Sequence, residues 1–242
     1  MRFKEKRLAQ IILISGMAIA SVAAIFWAMQ PLENLVTSIP DDSFFYFQTA
    51  SNIAKGLVPS IDGIHPGNGF HPLWMYILVP IFALKSIDLV LPVHLTLLLC
   101  GFFFVFSGYN VYRIFRILTG APILSACAAL TFLFFTNGFI RILDGEVTSL
   151  NIFILSFIMI SYLKLLKVSR PKTGSLILLG ILCGLFFLQR FDNPDMLRFY
   201  SQTFAYIGNF TCCCRFLSTG HGSNAVVENY NGDWRLIVNR IK

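Results

Sequence analysis

Long apolar stretches alternate with short charged segments along most of the chain, and this pattern predicts membrane helices. Five stretches are almost free of Asp, Glu, Lys and Arg, and each approaches or exceeds the ~17 residues that a helix needs to cross a bilayer. We therefore predict an all-α polytopic membrane protein. Its five transmembrane helices should occupy residues 8–30, 89–112, 117–138, 147–164 and 173–189.

A sixth apolar run, residues 72–84, decides the orientation of the helices that follow it. It has 13 residues with Pro80 near its middle, which is short for a span and typical of a helix at the membrane interface. The basic residues give an independent test, because Lys and Arg collect on the cytoplasmic side. If 72–84 does not cross, ten Lys and Arg fall inside and three outside; if it crosses, six fall inside and seven outside.

This charge distribution predicts a cytoplasmic N-terminus and a long external loop at 30–88, with interfacial helices at 43–55 and 72–84. The first span is too long for the apolar core of a cleaved signal peptide, so we interpret it as an uncleaved signal anchor. The sequence thus predicts a multi-pass protein of the cell membrane whose partner is the lipid bilayer.

The composition agrees with a membrane protein. Apolar side chains make up 56% of the residues and charged ones only 13%, and the mean hydropathy is +0.70. A soluble globular domain carries roughly 25% charged residues, so that class is excluded. Because the net charge of +7 comes from the predicted cytoplasmic segments, we expect no nucleic-acid partner.

The predicted external segments contain carboxylates near helix ends, and the first pair is Asp41 and Asp42. They open an amphipathic helix whose apolar positions include Phe44, Phe47 and Ala50, and Gly56 closes it. These acids could act as a general base or as ligands of a divalent cation. The alternative is structural, with Asp41 as the N-cap and Asp42 as a first-turn acid favoured by the helix dipole.

Two histidines lie in a loop rich in glycine and proline, between Asp62 and Trp74. His65 and His71 are candidates for contact with a phosphate or a metal, although histidines in such loops are more often structural. For Trp74 and Tyr76 we predict a place in an aromatic belt at the membrane interface.

The sequence Asp144-Gly145-Glu146 stands immediately before a predicted span. An acid at that depth is costly unless it is solvated, paired or functional, so Glu146 is a candidate functional residue or a water-exposed loop end. Beyond the fifth span, Arg190 could pair with Asp192 or bind a phosphate.

Three segments resemble GT-C-type membrane glycosyltransferases, in the group of protein-mannosyltransferases and aminoarabinose transferases. The first is Asp41 to Trp74, with its Asp-Asp pair and its His-Pro-Gly-Asn-Gly-Phe-His-Pro-Leu-Trp run. Glu146 with the residues after it resembles the acidic motif of the family's second external loop, and 188–193 resembles an Arg-x-Asp element. The resemblance covers about residues 1–194.

The resemblance implies transfer of a sugar from a polyprenyl-phosphate donor to an acceptor at the external face. By carry-over, Asp41 or Asp42 is the base or a ligand of Mg²⁺ or Mn²⁺, and Glu146 is a second acidic contact. The resemblance also makes Arg190 a phosphate partner, and we include His65, His71 and Asp192 among the substrate-binding candidates. Neither the sugar nor the acceptor can be read from these residues.

Residues 195–242 depart from the family, because they contain no apolar span and match no pattern that we know. We expect this segment to be an irregular tail that contributes nothing to the site, as in a truncated or inactive form of a longer enzyme. The alternative function is a non-catalytic accessory protein or a transporter fragment. Against a transporter, charged residues are nearly absent from the predicted spans.

Overall fold

The structure is a computed structural model, and it describes residues 2–67, 69–84, 90–134, 143–168 and 171–189. The predicted tail at 195–242 and the candidates Arg190 and Asp192 lie outside these described residues. All regular elements in the described part are α-helices, which confirms the predicted class. They are α1 (Arg2–Ala28), α2 (Leu32–Val36), α3 (Asp41–Ala54), α4 (Pro72–Ala83), α5 (Val90–Thr119), α6 (Pro122–Phe134), α7 (Thr148–Leu166) and α8 (Thr173–Phe187).

Three of these helices, α1, α5 and α7, are long and apolar enough to cross a membrane. Helices α4, α6 and α8 are apolar but shorter, with 12, 13 and 15 residues. The described residues thus hold three candidate spans, and the count of five stays a prediction. The predicted third span extends four residues beyond Phe134, and residues 135–138 lie outside the described residues.

The boundary between α5 and α6 differs from the prediction. We expected the second span to end at residue 112, before two arginines, but α5 continues through both to Thr119. Arg113 stays on the helix with its guanidinium 5.9 Å from the ring centre of Tyr109, a cation–π contact. The helix ends where Gly120 adopts a φ of +70°, and Pro122 starts α6 at a position that Pro favours.

Successive helices of the bundle run in opposite directions. The start of α5 lies at the end of α1, where Nδ1 of His94 donates a hydrogen bond of 2.5 Å to the carbonyl oxygen of Ala28. Helix α6 returns antiparallel to α5, with the rings of Phe104 and Phe132 5.3 Å apart.

Helix α7 runs parallel to α5 along most of its length. In their middle, the amide of Asn110 donates a buried hydrogen bond of 2.9 Å to the hydroxyl of Ser156. At their ends, the ammonium of Lys167 donates to the carbonyl oxygen of Ile117. Helix α8 packs against α7. The residue after its end, Leu188, accepts a hydrogen bond of 3.5 Å from the N–H of Leu73 in α4.

Small residues allow the helices to approach closely. A Cβ atom at Gly16 of α1 would lie 2.0 Å from a methyl group of Leu130 in α6. One at Gly108 of α5 would lie 2.6 Å from Leu133. Such contacts between backbone and side chain are typical of helix pairs inside membranes, where close van der Waals packing drives association.

The two ends of the bundle differ in charge. One end, which we call the acidic end, contains Asp144 and Glu146. The end of α1 and the starts of α5 and α7 also lie there. Arg116 and Lys167 lie at the opposite end, because they stand at the ends of α5 and α7.

Candidate functional site

Residues 143–147, which we call the acidic turn, lead into α7 at the acidic end. Gly145 has a φ of +88°, a backbone conformation that glycine adopts without steric cost. Across this glycine, Oδ1 of Asp144 accepts a hydrogen bond of 2.9 Å from the backbone N–H of Glu146. The turn therefore projects two carboxylates from a single backbone bend.

Three helices hold the acidic turn in place. From α4, Nε1 of Trp74 donates a hydrogen bond of 3.2 Å to the carbonyl oxygen of Gly145. From α3, the ring of Phe47 packs so close to Gly145 that an added Cβ would lie 2.6 Å from its Cζ. From α5, Sγ of Cys100 is 3.9 Å from the carbonyl oxygen of Glu146.

The electrostatics of the acidic turn favour protonated carboxyl groups. Burial raises the pKa of Asp144, whose exposed fraction is 7%. Burial also raises the pKa of Glu146, and the charges of Asp144 and then Asp42 raise it further. In the described part of the chain, no cation lies within ion-pair distance of these two acids. An acid held in this way keeps its proton to a higher pH than an exposed acid does.

The charge of Asp42 contributes to the raised pKa of Glu146, and this links the first loop to the acidic turn. Both Asp41 and Asp42 are exposed on the first turn of α3, and the influence on Glu146 comes from Asp42. The N-cap of α3 is Pro40 and no side chain caps the helix, so the structural alternative with Asp41 as the N-cap is wrong.

The buried face of α3 also differs from the predicted one. Phe47 and Ala50 are buried as expected, but so are the polar residues Ser43, Thr49 and Asn52. Phe44 is only half-buried. Helix α3 is therefore enclosed on more than one side, by α4 and by the loop that follows α3.

Gly56 closes α3 as predicted, with a φ of +76°. The N–H of Gly56 donates to the carbonyl oxygen of Ile53, and the N–H of Leu57 donates to that of Asn52, at 2.9 and 3.0 Å. This double hydrogen bond is a Schellman motif, which turns the chain sharply into the histidine loop.

Asp62 organises the histidine loop. Its Oδ1 accepts hydrogen bonds from the hydroxyl of Ser60 and from the N–H groups of Ile64 and His65, at 2.8, 2.9 and 3.0 Å. Its Oδ2 lies 2.7 Å from Nδ1 of His65. The contact with the imidazole, followed by the backbone donors, holds the pKa of Asp62 well below its usual range. His65 therefore has a structural partner in the loop.

His71 stands at the N-cap position of α4, six residues after His65. Its ring stacks on Tyr46 of α3 with the ring centres 6.0 Å apart. Three residues later, Trp74 is fully buried, so its predicted place in an interfacial belt is wrong. The hydrogen bond to Gly145 explains this burial, because it satisfies the indole N–H inside the protein. Tyr76 is 75% exposed, as a belt residue requires.

The described residues do not form a metal site, because no group of three or more His, Cys, Asp and Glu side chains is suitably placed among them. Asp41 and Asp42, the predicted cation ligands, project from an exposed helix turn without a third ligand. The described residues thus contain no preformed site with three or more protein ligands, and the role of Asp41 and Asp42 as ligands of Mg²⁺ or Mn²⁺ stays a prediction.

Two residues of the site were missing from the sequence-based candidates. Asp144 is the more deeply buried acid of the turn, and Trp74 connects α4 to it. The Asp-Gly-Glu order was a signal for the first, since a glycine between two acids favours a sharp turn. No local pattern relates Trp74 to a backbone carbonyl 71 residues away.

Comparison of the chain with known protein families, with curated proteins and with solved structures finds no match. The class of the protein therefore rests on its fold and its site. The chain is a helical protein with three helices suited to a membrane and a carboxylate cluster at one end of its bundle.

Proposed function

We propose that this chain is a GT-C-like glycosyltransferase that transfers a sugar from a polyprenyl-phosphate donor to an acceptor at the external face of the membrane. The observation that carries the proposal is the close packing of α3 on the acidic turn, where a Cβ at Gly145 would lie 2.6 Å from Cζ of Phe47, so that the charge of Asp42 contributes to the raised pKa of Glu146. These acids belong to segments that are 104 residues apart in the chain, and each segment resembles an acidic motif of the family.

The chemistry requires a base and a leaving group. In the proposed reaction, a carboxylate takes the proton of the acceptor hydroxyl, and the oxygen bonds to the anomeric carbon of the sugar. The bond from that carbon to the phosphate oxygen breaks, and polyprenyl phosphate leaves. The raised pKa of Glu146 suits a base, since a carboxylate with a higher pKa is a stronger proton acceptor.

Unmet hydrogen-bonding capacity at the acidic end supports a polar substrate. Ser43 is fully buried, and its hydroxyl oxygen has no hydrogen-bond partner among the described residues. It stands next to Asp42 in the chain. Buried polar groups are normally paired, so this hydroxyl favours a polar occupant.

The proposed topology has five spans with the N-terminus in the cytoplasm, and α3 and α4 at the external interface. The alternating helix directions and the basic residues at the opposite end of the bundle support it. In this arrangement the acidic turn faces the external side. Arg190 is the proposed source of positive charge for the leaving phosphate.

Sugar transfer in proteoliposomes tests the proposal. The purified chain is supplied with radiolabelled polyprenyl-phosphate hexoses and pentoses, and with a cell-envelope fraction as acceptor. We expect transfer by the wild type and a loss of at least about 100-fold in Asp42→Asn and Glu146→Gln, the range for a lost acid–base group. EDTA in the same assay tests the participation of Mg²⁺ or Mn²⁺.

The matched control is Glu33→Gln, which removes an exposed acid from the same external loop. It should retain wild-type transfer. No transfer from any donor, together with intact membrane insertion, would contradict the proposal and favour the non-catalytic alternative.

A further inference from the structure

Trp74 is buried inside the protein, so its indole does not lie at the membrane interface. It is fully buried, and its N–H donates to the carbonyl oxygen of Gly145 across 71 residues of chain. The carbonyl that it binds lies between the two candidate carboxylates. A displacement of this carbonyl therefore rotates the peptide plane between Gly145 and Glu146, whose N–H donates to Oδ1 of Asp144.

A second aromatic side chain reinforces this contact. Phe47 packs against Gly145, and its ring stacks on Phe82 with the ring centres 5.7 Å apart. Phe82 and Trp74 both belong to α4, so one helix fixes the turn directly and also through α3. Helix α4 thus connects the histidine loop to the acidic turn.

From this geometry we infer that Trp74 is a positioning residue, which holds the acidic turn so that Glu146 stays in its partly enclosed setting beside Asp42 and Asp144. The inference rests on the proposed function for its catalytic consequence, whereas the positioning itself is independent of any substrate. Among the described residues, the charged groups that act on Glu146 are Asp144 in the turn and Asp42 on α3, and the thiol of Cys100 on α5 lies against its backbone carbonyl.

The test compares two Trp→Phe variants. Trp74→Phe removes an N–H that has an acceptor, whereas Trp27→Phe removes a buried N–H that has no acceptor among the described residues. The chemical change is the same in both, so general effects of losing an indole cancel. Phe47→Leu provides a second route to a looser turn if Trp74→Phe folds poorly.

The readout is the reaction of Glu146 with dicyclohexylcarbodiimide, which adds to protonated carboxyl groups. Labelling of the full chain in detergent is followed by mass spectrometry across pH. Because the pKa of Glu146 is raised in the folded protein, wild-type labelling should persist to higher pH than for an exposed glutamate. In Trp74→Phe and in Phe47→Leu the pH of half-maximal labelling should fall, because water enters the loosened turn.

Trp27→Phe should leave this midpoint unchanged. Equal midpoints for wild type, Trp74→Phe and Phe47→Leu would overturn the inference, even if these variants were less stable. In the transfer assay, Trp74→Phe should lower kcat about tenfold with little change in KM, as expected for one lost hydrogen bond that orients a reacting group. A shifted labelling midpoint in a protein that transfers no sugar would uphold the positioning role and contradict only the proposed function.

Discussion

Replacing Gly145 by alanine should destabilise the protein more than the same change at the other loop glycines that the structure describes. Two separate costs arise at this position. At a φ of +88°, an alanine is in a backbone region that costs about 1–2 kcal/mol for residues with a Cβ. The added Cβ would also lie 2.6 Å from Cζ of Phe47.

The second cost depends on whether the Phe47 ring can move away. It is stacked on Phe82 and is only 5% exposed, so it has little room to move. Overpacking of this kind costs about 1–3 kcal/mol, and the two costs together give about 2–5 kcal/mol. For a chain of this size, 1 kcal/mol corresponds to about 2–4 °C, so the melting temperature should fall by roughly 4–20 °C.

Alanine variants of two other glycines separate the backbone cost from the packing cost. The measurement is the free energy of unfolding by SDS in mixed micelles. Gly120 has a similar φ of +70° but open space where a Cβ would stand, so Gly120→Ala measures the backbone cost alone. Gly180 lies in α8 with open space, so Gly180→Ala should stabilise the protein by about 0.5–1 kcal/mol. If Gly145→Ala cost no more than Gly120→Ala, the packing of α3 on the acidic turn would be refuted.

Three further perturbations test other parts of the structure. In a double-mutant cycle, Asn110→Ala and Ser156→Ala should show a coupling of about 0.6 kcal/mol, typical of hydrogen bonds between membrane helices, and no coupling would exclude their contact. Because the pKa of Asp144 is raised on folding, the free energy of unfolding should fall as pH rises from about 4 through the folded pKa, and Asp144→Asn should reduce this slope. Asp62→Asn should speed hydrogen exchange at the amides of Ile64 and His65, and unchanged exchange would argue against the role of Asp62 in the loop.

The helices of the fold could be predicted from the sequence, because apolar runs and their flanking charges are local signals. Helix α7, Thr148–Leu166, coincides closely with the predicted span at 147–164. Helix α5 continues beyond residue 112, the predicted end of its span, and past the two arginines that follow. Long basic side chains can extend from a helix along its apolar surface, so charge alone does not end a helix.

Asp42 and Glu146 were candidates from the sequence, but Asp144 and the arrangement of these acids were not. Phe47 and Trp74 contact Gly145 through tertiary packing, and no periodicity contains that information. The buried face of α3 was misjudged for the same reason. Helical spacing assumes one apolar surface, whereas α3 is covered by α4 and also by the loop whose carbonyl oxygen Asn52 binds.

The central claim is that the first loop and the acidic turn form one site, in which Asp42 acts on Glu146. The most direct test is the carbodiimide midpoint of Glu146 in Asp42→Asn, with Asp41→Asn as the matched control on the same helix turn. Because the charge of Asp42 raises the pKa of Glu146, its removal should lower the midpoint, whereas removal of Asp41 should leave it unchanged. Equal midpoints in the wild type and Asp42→Asn would contradict a shared site.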